Sequence, residues 1–118
     1  MPLDAVRSVY TVATDMDLMQ AFYAEALKLP VAFRDRDNWC QFKVGQSAFA
    51  LSSAAEAATG APGSVVVFGA TDVAQLAQRI ERLGGLHLSS RDMGPHGSVA
   101  TFADPENNLF QIHVRQST

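Results

Sequence analysis

The chain has 118 residues, of which 47% are hydrophobic and 18% charged, and its net charge at pH 7 is −3. This length supports one domain, residues 1–118, that buries a core without metal or disulfide staples. The acidity and the lack of a Lys/Arg run exclude a nucleic-acid partner and disfavour anionic membranes, since both need a basic patch.

Other features of the composition point to the cytoplasm. Cys40 is the single cysteine, so no intrachain disulfide framework exists and nothing indicates an oxidising compartment. No apolar run is long enough to span a bilayer, and the start Met1-Pro2-Leu3-Asp4 lacks the basic and apolar parts of a signal peptide. We expect a cytoplasmic protein without a membrane partner.

The first half of the chain predicts the order β-α-β-β-β. Residues 6–13 are rich in β-branched and aromatic side chains, which favours a strand. Apolar residues then recur at three- and four-residue spacing across residues 16–28, which predicts an amphipathic helix capped by Asp15 and ended by Pro30. Strands are expected at 31–33, 39–44 and 47–52, the last two joined by a Gly45-Gln46 turn. The helix should bury Leu18, Met19, Phe22 and Tyr23, and Cys40 should be an apolar filler.

The second half repeats this order after a small-residue linker at 53–63. Ala13-Thr14-Asp15 recurs as Ala70-Thr71-Asp72, an offset of 57 residues, again between a β-rich run and an amphipathic helix. Asp72 and Gln75 resemble a capping box at the start of that helix. The expected elements are a strand at 64–69, a helix with the buried stripe Val73, Leu76, Ile80 and Leu83 that ends at Gly84-Gly85, and strands at 86–89, 99–102 and 109–114.

Two such modules, 1–52 and 64–118, predict an α+β fold. Each βαβββ module covers one face of its sheet with its own helix and leaves the other face bare. The two sheets together are expected to form a concave, half-barrel mixed sheet with the helices outside, and a cavity between modules is the natural ligand site.

The chain resembles the vicinal oxygen chelate superfamily, which includes glyoxalase I, extradiol dioxygenases and the fosfomycin- and bleomycin-resistance proteins. The strongest similarity is Phe102-Ala103-Asp104-Pro105-Glu106-Asn107-Asn108, which is similar to the family pattern Phe-x-Asp-Pro-x-Gly-Asn. Phe22-Tyr23 in the first helix and Pro95-His96-Gly97 before the last hairpin add to it. Lys28 and Asn107 stand where the family often has glycine.

The resemblance implies four metal-ligand positions, which metal-dependent members fill with His or Glu. Counting from the helix-capping aspartates places them at Ser8, Ala50, Val65 and Gln111. Zinc, iron and manganese sites need imidazole, thiolate or carboxylate ligands, and this set supplies none. We therefore expect no metal and no cofactor.

Strand parity predicts which side chains share a face with these positions. In the first module, Tyr10, Trp39 and Gln41 should lie on the same face as Ser8 and Ala50. In the second module, His113 should share a face with Gln111, with Met93 and His96 at the rim. The predicted ligand-binding residues are thus Tyr10, Trp39, Gln41, Met93, His96, Gln111 and His113. Trp39 is also explained as a packing residue of the sheet, and His96 and His113 as turn and edge residues.

Three functions remain open, and in each the protein is expected to be a homodimer. The first is a metal-independent protein that binds a small aromatic or amphipathic molecule, although no carboxylate cluster is present for a cationic drug. The second is a metal-dependent lyase, transferase or dioxygenase, which the four ligand positions disfavour. The third is a cofactor-free enzyme with His113 or His96 as general base.

Overall fold

In a computed structural model, residues 6–57 and 65–116 are described. The first module contains β1 (Ser8–Val12), α1 (Met16–Ala26), β2 (Val31–Asp35), β3 (Trp39–Val44) and β4 (Ser47–Ser52). The second contains β5 (Val66–Ala70), α2 (Ala74–Arg82), β6 (Leu86–Asp92), β7 (Ser98–Ala103) and β8 (Leu109–Val114), with a turn of 3₁₀ helix at Gly94–His96. The predicted βαβββ repeat is confirmed. The predicted linker at 53–63 lies largely outside the described residues, and the sequence did not predict the 3₁₀ turn.

Each module forms its own four-stranded mixed sheet, and both sheets are open. The strand orders are β1-β4-β3-β2 and β5-β8-β7-β6, so the same arrangement occurs twice. In each sheet the first strand of the module pairs in parallel with the last, β1 with β4 and β5 with β8. The remaining pairs are antiparallel. The predicted α+β fold of two βαβββ modules is therefore observed.

The helix bounds differ from the predicted ones at the end of α1 and at the start of α2. Asp15 caps α1 as expected, because its carboxylate accepts a hydrogen bond from the Leu18 amide at 3.1 Å. The helix ends at Ala26, two residues early, and Lys28 then adopts a left-handed conformation with φ of 58°. The predicted capping box at Asp72 is wrong, since α2 starts from Val73 without a side-chain cap and Asp72 bonds the Ala74 amide instead.

The two modules share one hydrophobic core. Phe49 of β4 meets Phe68 of β5 with ring centroids 5.5 Å apart, and Tyr23 of α1 contacts both Phe49 and Phe110 of β8. Met19, Phe22, Tyr23 and Cys40 are buried as predicted. The prediction for Leu18 is wrong, because 45% of that residue is exposed.

The shared core determines the direction of the two uncovered sheet faces. Alternate residues of a strand point to opposite sides, so the faces opposite Phe49 and Phe68 point away from the core. We call the first the Tyr10 face; it carries Ser8, Tyr10, Val12, Phe33, Trp39, Gln41, Lys43, Ala48, Ala50 and Ser52. We call the second the Gln111 face; it carries Val67, Gly69, Val99, Thr101, Leu109, Gln111 and His113.

The turn between β7 and β8 joins the second module to the first. The buried carboxylate of Asp104 accepts the Tyr23 hydroxyl at 2.8 Å, and the Glu106 carboxylate accepts the Thr14 and Asp15 amides at 2.7 Å each. The Asn108 side chain donates to the Val12 carbonyl at 3.3 Å. These bonds hold the start of α1 against the turn.

Candidate ligand-binding site

Tyr10, Trp39 and Gln41 are brought together on the Tyr10 face. The rings of Tyr10 and Trp39 are 5.8 Å apart and tilted by 58°. Trp39 Nε1 donates to Gln41 Oε1 at 3.0 Å, which orients the amide so that its NH₂ group is the remaining donor. Gln41 pairs with Ala50 and Trp39 with Ser52, which is the predicted register. The result is a surface of two tilted aromatic rings and an amide group beside small residues.

Gln111 lies on the other face, where Thr101 holds its side chain. Gln111 and Thr101 are directly opposite each other in the β7–β8 hairpin, and Gln111 Nε2 donates to Thr101 Oγ1 at 3.0 Å. The Gln111 carbonyl oxygen is therefore its remaining acceptor. Thr101 is not among the site residues predicted from the sequence, although counting back from the Asp104–Asn108 turn identifies it as the partner of Gln111.

Met93, His96 and His113 meet at the corner between β6 and β7. His113 Nε2 lies 2.7 Å from the His96 carbonyl oxygen, which can only accept, so Nε2 carries the hydrogen and Nδ1 is free to accept in the neutral ring. The Met93 amide donates to the Gly97 carbonyl at 2.7 Å. Gly97 has φ of 88°, and a Cβ there would collide with the Val114 carbonyl. This corner is thus closely packed.

The two groups of predicted site residues do not face each other within one chain. Tyr10, Trp39 and Gln41 lie on one uncovered face, and Gln111 and His113 lie on the other. A cavity of about 220 Å³ adjoins Gln41 and Lys43, and one of about 610 Å³ adjoins His113. None of four cavities in the described structure is lined by residues of both faces.

Two buried groups with a raised pKa lie away from both faces. Burial raises the pKa of Tyr23 well above its ordinary value, and the charge and hydrogen bond of Asp104 raise it further. Burial also raises the pKa of the Cys40 thiol, while Arg34 acts in the opposite direction. Neither group is therefore a ready nucleophile or base at neutral pH.

A family model described as "Glyoxalase-like domain" matches residues 8–113. The chain belongs to this glyoxalase-like family. Comparison with curated proteins gives no match. Neither helix in the described parts of this glyoxalase-like chain is long and apolar enough to cross a bilayer.

Solved structures of the superfamily share the fold of this glyoxalase-like chain. A glyoxalase/bleomycin resistance protein/dioxygenase family enzyme from Burkholderia phytofirmans PsJN is 18% identical, with a TM-score of 0.79 over 96% of this chain and 100% of that chain. The lactoylglutathione lyase of Agrobacterium tumefaciens is 21% identical, with a TM-score of 0.77 over 97% and 96%. TnmS3, an antibiotic binding protein from Streptomyces sp. CB03234, is 20% identical, with a TM-score of 0.76 over 98% and 99%. At sequence identities this low, the structural similarity establishes that the fold is shared.

The four metal-ligand positions implied by the superfamily do not fit a transition metal in this glyoxalase-like chain. Ser8, Ala50, Val65 and Gln111 supply one hydroxyl, one amide and two aliphatic groups, and the Gln111 amide nitrogen is bonded to Thr101. Zinc and manganese are held by imidazole, thiolate or carboxylate groups. In residues 6–57 and 65–116, no group of three or more His, Cys, Asp or Glu residues could hold a metal ion. The four side chains are therefore not a ligand set for a transition metal.

Proposed function

We propose that this glyoxalase-like protein binds a small aromatic or amphipathic molecule, without a metal, in cavities formed between two copies of the chain. The observation that carries the proposal is the Tyr10–Trp39 pair with Gln41, which forms an aromatic surface on the sheet face away from the core, where Tyr10 is 36% exposed. Aromatic side chains with a few fixed polar groups are typical of small-molecule sites. The cytoplasm is the proposed location.

The polar groups of the two faces complement each other. Gln41 has its NH₂ group available, because its oxygen accepts from Trp39. Gln111 has its oxygen available, because its nitrogen donates to Thr101. A ligand lying between the faces would receive one hydrogen bond from Gln41 and donate one to Gln111, while its ring stacks on Trp39 and Tyr10.

A second copy of the chain accounts for the apolar residues left on the two faces. Phe33 is 52% exposed on the Tyr10 face, and Val67 and Leu109 are 54% and 47% exposed on the Gln111 face. Because the two faces point in different directions, a two-fold dimer would place the Tyr10 face of each copy over the Gln111 face of the other. Both cavities would then contain residues from both chains.

The dimer is tested by light scattering on Leu109→Asp. A charge on the proposed interface should convert the protein to a folded monomer, because an unpaired carboxylate is costly to bury. Leu18→Asp is the matched control, since Leu18 is 45% exposed on α1 and lies on neither face. A dimeric Leu109→Asp protein, or a monomeric parent, would contradict this arrangement.

Ligand binding is tested with the single tryptophan as the probe. Trp39 is the only tryptophan of the chain, so its fluorescence should change when a planar aromatic compound from an antibiotic panel stacks on it. The same compound should raise the melting temperature, because it binds only the folded state. Trp39→Ala should weaken binding about ten-fold or more, about 1.4 kcal/mol, and lower stability by less than that. A loss of stability larger than the loss of binding free energy would identify Trp39 as a packing residue.

The cofactor-free enzyme remains a second candidate because of His113. The bond from His113 Nε2 to the His96 carbonyl fixes the ring and leaves Nδ1 as a possible general base. If an identified ligand is converted, turnover should be lost in His113→Asn while binding is kept. Binding without conversion in the parent protein would favour sequestration.

A further inference from the structure

Two arginines at the end of the second module lack carboxylate partners in the described structure, as do Arg79 and Arg82 on α2. Arg34 pairs with Asp17 and Asp37 at 2.8 and 2.9 Å, and Arg36 lies 3.8 Å from Asp35. By contrast, the guanidinium of Arg91 contacts the Met93 sulfur at 3.5 Å, and Arg115 makes no ion pair within residues 6–57 and 65–116. Their positive charges are not neutralised there, although the chain as a whole is acidic.

Arg91 and Arg115 line the same cavity. It has a volume of about 450 Å³ and also contains Ser90 and Ser98. The acidic residue in its lining is Asp92, whose carboxylate accepts the Gly94 amide at 2.8 Å. A second cavity, of about 610 Å³, adjoins Arg115 together with Thr71 and His113. Arg115 therefore stands between two cavities at the carboxyl end of β5 and β8.

The internal repeat shows what the turn beside Arg115 can bind. In the first module, the turn Ala13-Thr14-Asp15 donates two backbone amides to the Glu106 carboxylate at 2.7 Å each. The second module has the same three residues at 70–72, and its Thr71 lines the cavity beside Arg115. The amides of Thr71 and Asp72 have no hydrogen-bond partner in the described chain.

The difference in hairpin length explains why the second turn has no carboxylate of its own. The β7–β8 turn spans residues 104–108 and carries Glu106 to the first module. The corresponding β3–β4 turn is only Gly45-Gln46 and supplies no acidic side chain. An aspartate in this turn is compatible with a bound carboxylate, because Asp15 accepts the Leu18 amide while its own backbone amide donates to Glu106. Asp72 accepts a different amide, that of Ala74.

We propose that this end of the second module binds the oxyanion group of a small molecule, a carboxylate or a phosphate, beside Arg115 and Arg91. The Arg115 guanidinium would form the charged hydrogen bonds, with the Thr71 and Asp72 amides as further donors and Arg91 adding positive charge. This site goes beyond the proposed aromatic cavity, because none of these four residues belongs to the Tyr10–Trp39–Gln41 surface.

Titration of the ¹⁵N-labelled full-length protein at constant ionic strength tests the site. The probes are sodium benzoate, inorganic phosphate and the neutral benzyl alcohol. Benzoate, phosphate or both should produce saturable shifts at the amides of Thr71, Asp72 and Arg115, and the probe that does so identifies the oxyanion. Benzyl alcohol should not. Equal shifts with benzyl alcohol, or none with either anion, would overturn the proposal.

Matched arginine variants complete the test. Arg115→Gln should weaken anion binding about ten-fold or more, and Arg91→Gln should weaken it less. Arg82→Gln is the control, because Arg82 is exposed on α2 and lines neither cavity. In Trp39→Ala the shifts at the Thr71, Asp72 and Arg115 amides should saturate at the same anion concentration as in the parent protein, which separates this site from the aromatic cavity. Unchanged affinity in Arg115→Gln would refute the proposal.

Discussion

Tyr23 donates its hydroxyl hydrogen to Asp104 at 2.8 Å, and this bond joins α1 of the first module to the β7–β8 turn of the second across 81 residues. Both residues are buried, with 1% and 3% of their surface exposed. The Asp104 carboxylate also accepts the amides of Glu106 and Asn108 and the side chain of Asn108. A buried carboxylate with several donors is tolerated because its charge is solvated by the protein.

Tyr23→Phe should lower the free energy of unfolding by about 1.5–3 kcal/mol, because it removes a buried hydrogen bond to a charged group. The remaining donors to Asp104 should keep the fold intact. Urea denaturation followed by circular dichroism measures the loss. Tyr10→Phe is the matched control, since 36% of Tyr10 is exposed, and its loss should be smaller. Equal losses in the two variants would contradict the importance of the Asp104 bond.

Alkaline pH should destabilise the protein through Tyr23. The pKa of Tyr23 is raised in the folded state by burial and by Asp104, whereas a tyrosine in an unfolded chain ionises near pH 10. Below about pH 10 both states keep the proton, and the contribution of Tyr23 to stability is complete. At higher pH only the unfolded chain releases it, so the free energy of unfolding falls by about 1.4 kcal/mol per pH unit.

This pH dependence is measured by urea denaturation of the parent and Tyr23→Phe proteins between neutral and alkaline pH. Other groups titrate in both proteins, so the difference between them isolates Tyr23. The variant should lose less stability as the pH rises. Parallel curves for the two proteins would show that Tyr23 ionises alike in the folded and unfolded states.

Glu106→Ala should destabilise the protein by about 1–3 kcal/mol, because the Thr14 and Asp15 amides lose their acceptor and the start of α1 loses a negative charge. Glu81→Ala, at an exposed position of α2, should have little effect. Added acetate should raise the melting temperature of Glu106→Ala more than that of the parent protein at equal ionic strength. An equal effect of acetate on both would show that the vacated amides do not bind a carboxylate.

Lys28→Gly should stabilise the fold by up to about 1 kcal/mol. Lys28 has φ of 58°, where a side chain is strained by about 1–2 kcal/mol and glycine is not. The greater freedom of glycine in the unfolded chain offsets part of this gain. Lys43→Gly, inside the extended strand β3, should destabilise instead. The melting temperatures of the two variants should therefore move in opposite directions.

The sequence by itself determined the features that depend on local pattern. The bounds of β3, β4 and β8 agree with the predicted ones, because alternation and the Gly45-Gln46 turn fix their register. Asp15 and the repeated Ala-Thr-Asp triplet located both helices, although the α2 start moved by one residue. The face shared by Tyr10, Trp39 and Gln41 also followed from strand parity.

Only the tertiary structure decided how the two modules sit together. The contact of Phe49 with Phe68 puts the helical sides of both sheets in one core, and local periodicity contains no information about that contact. The link from Glu106 to Thr14 spans 92 residues, and the cavity beside Arg91 and Arg115 depends on where the strands end. Local patterns set which side chains share a face, whereas packing between distant segments sets which faces meet.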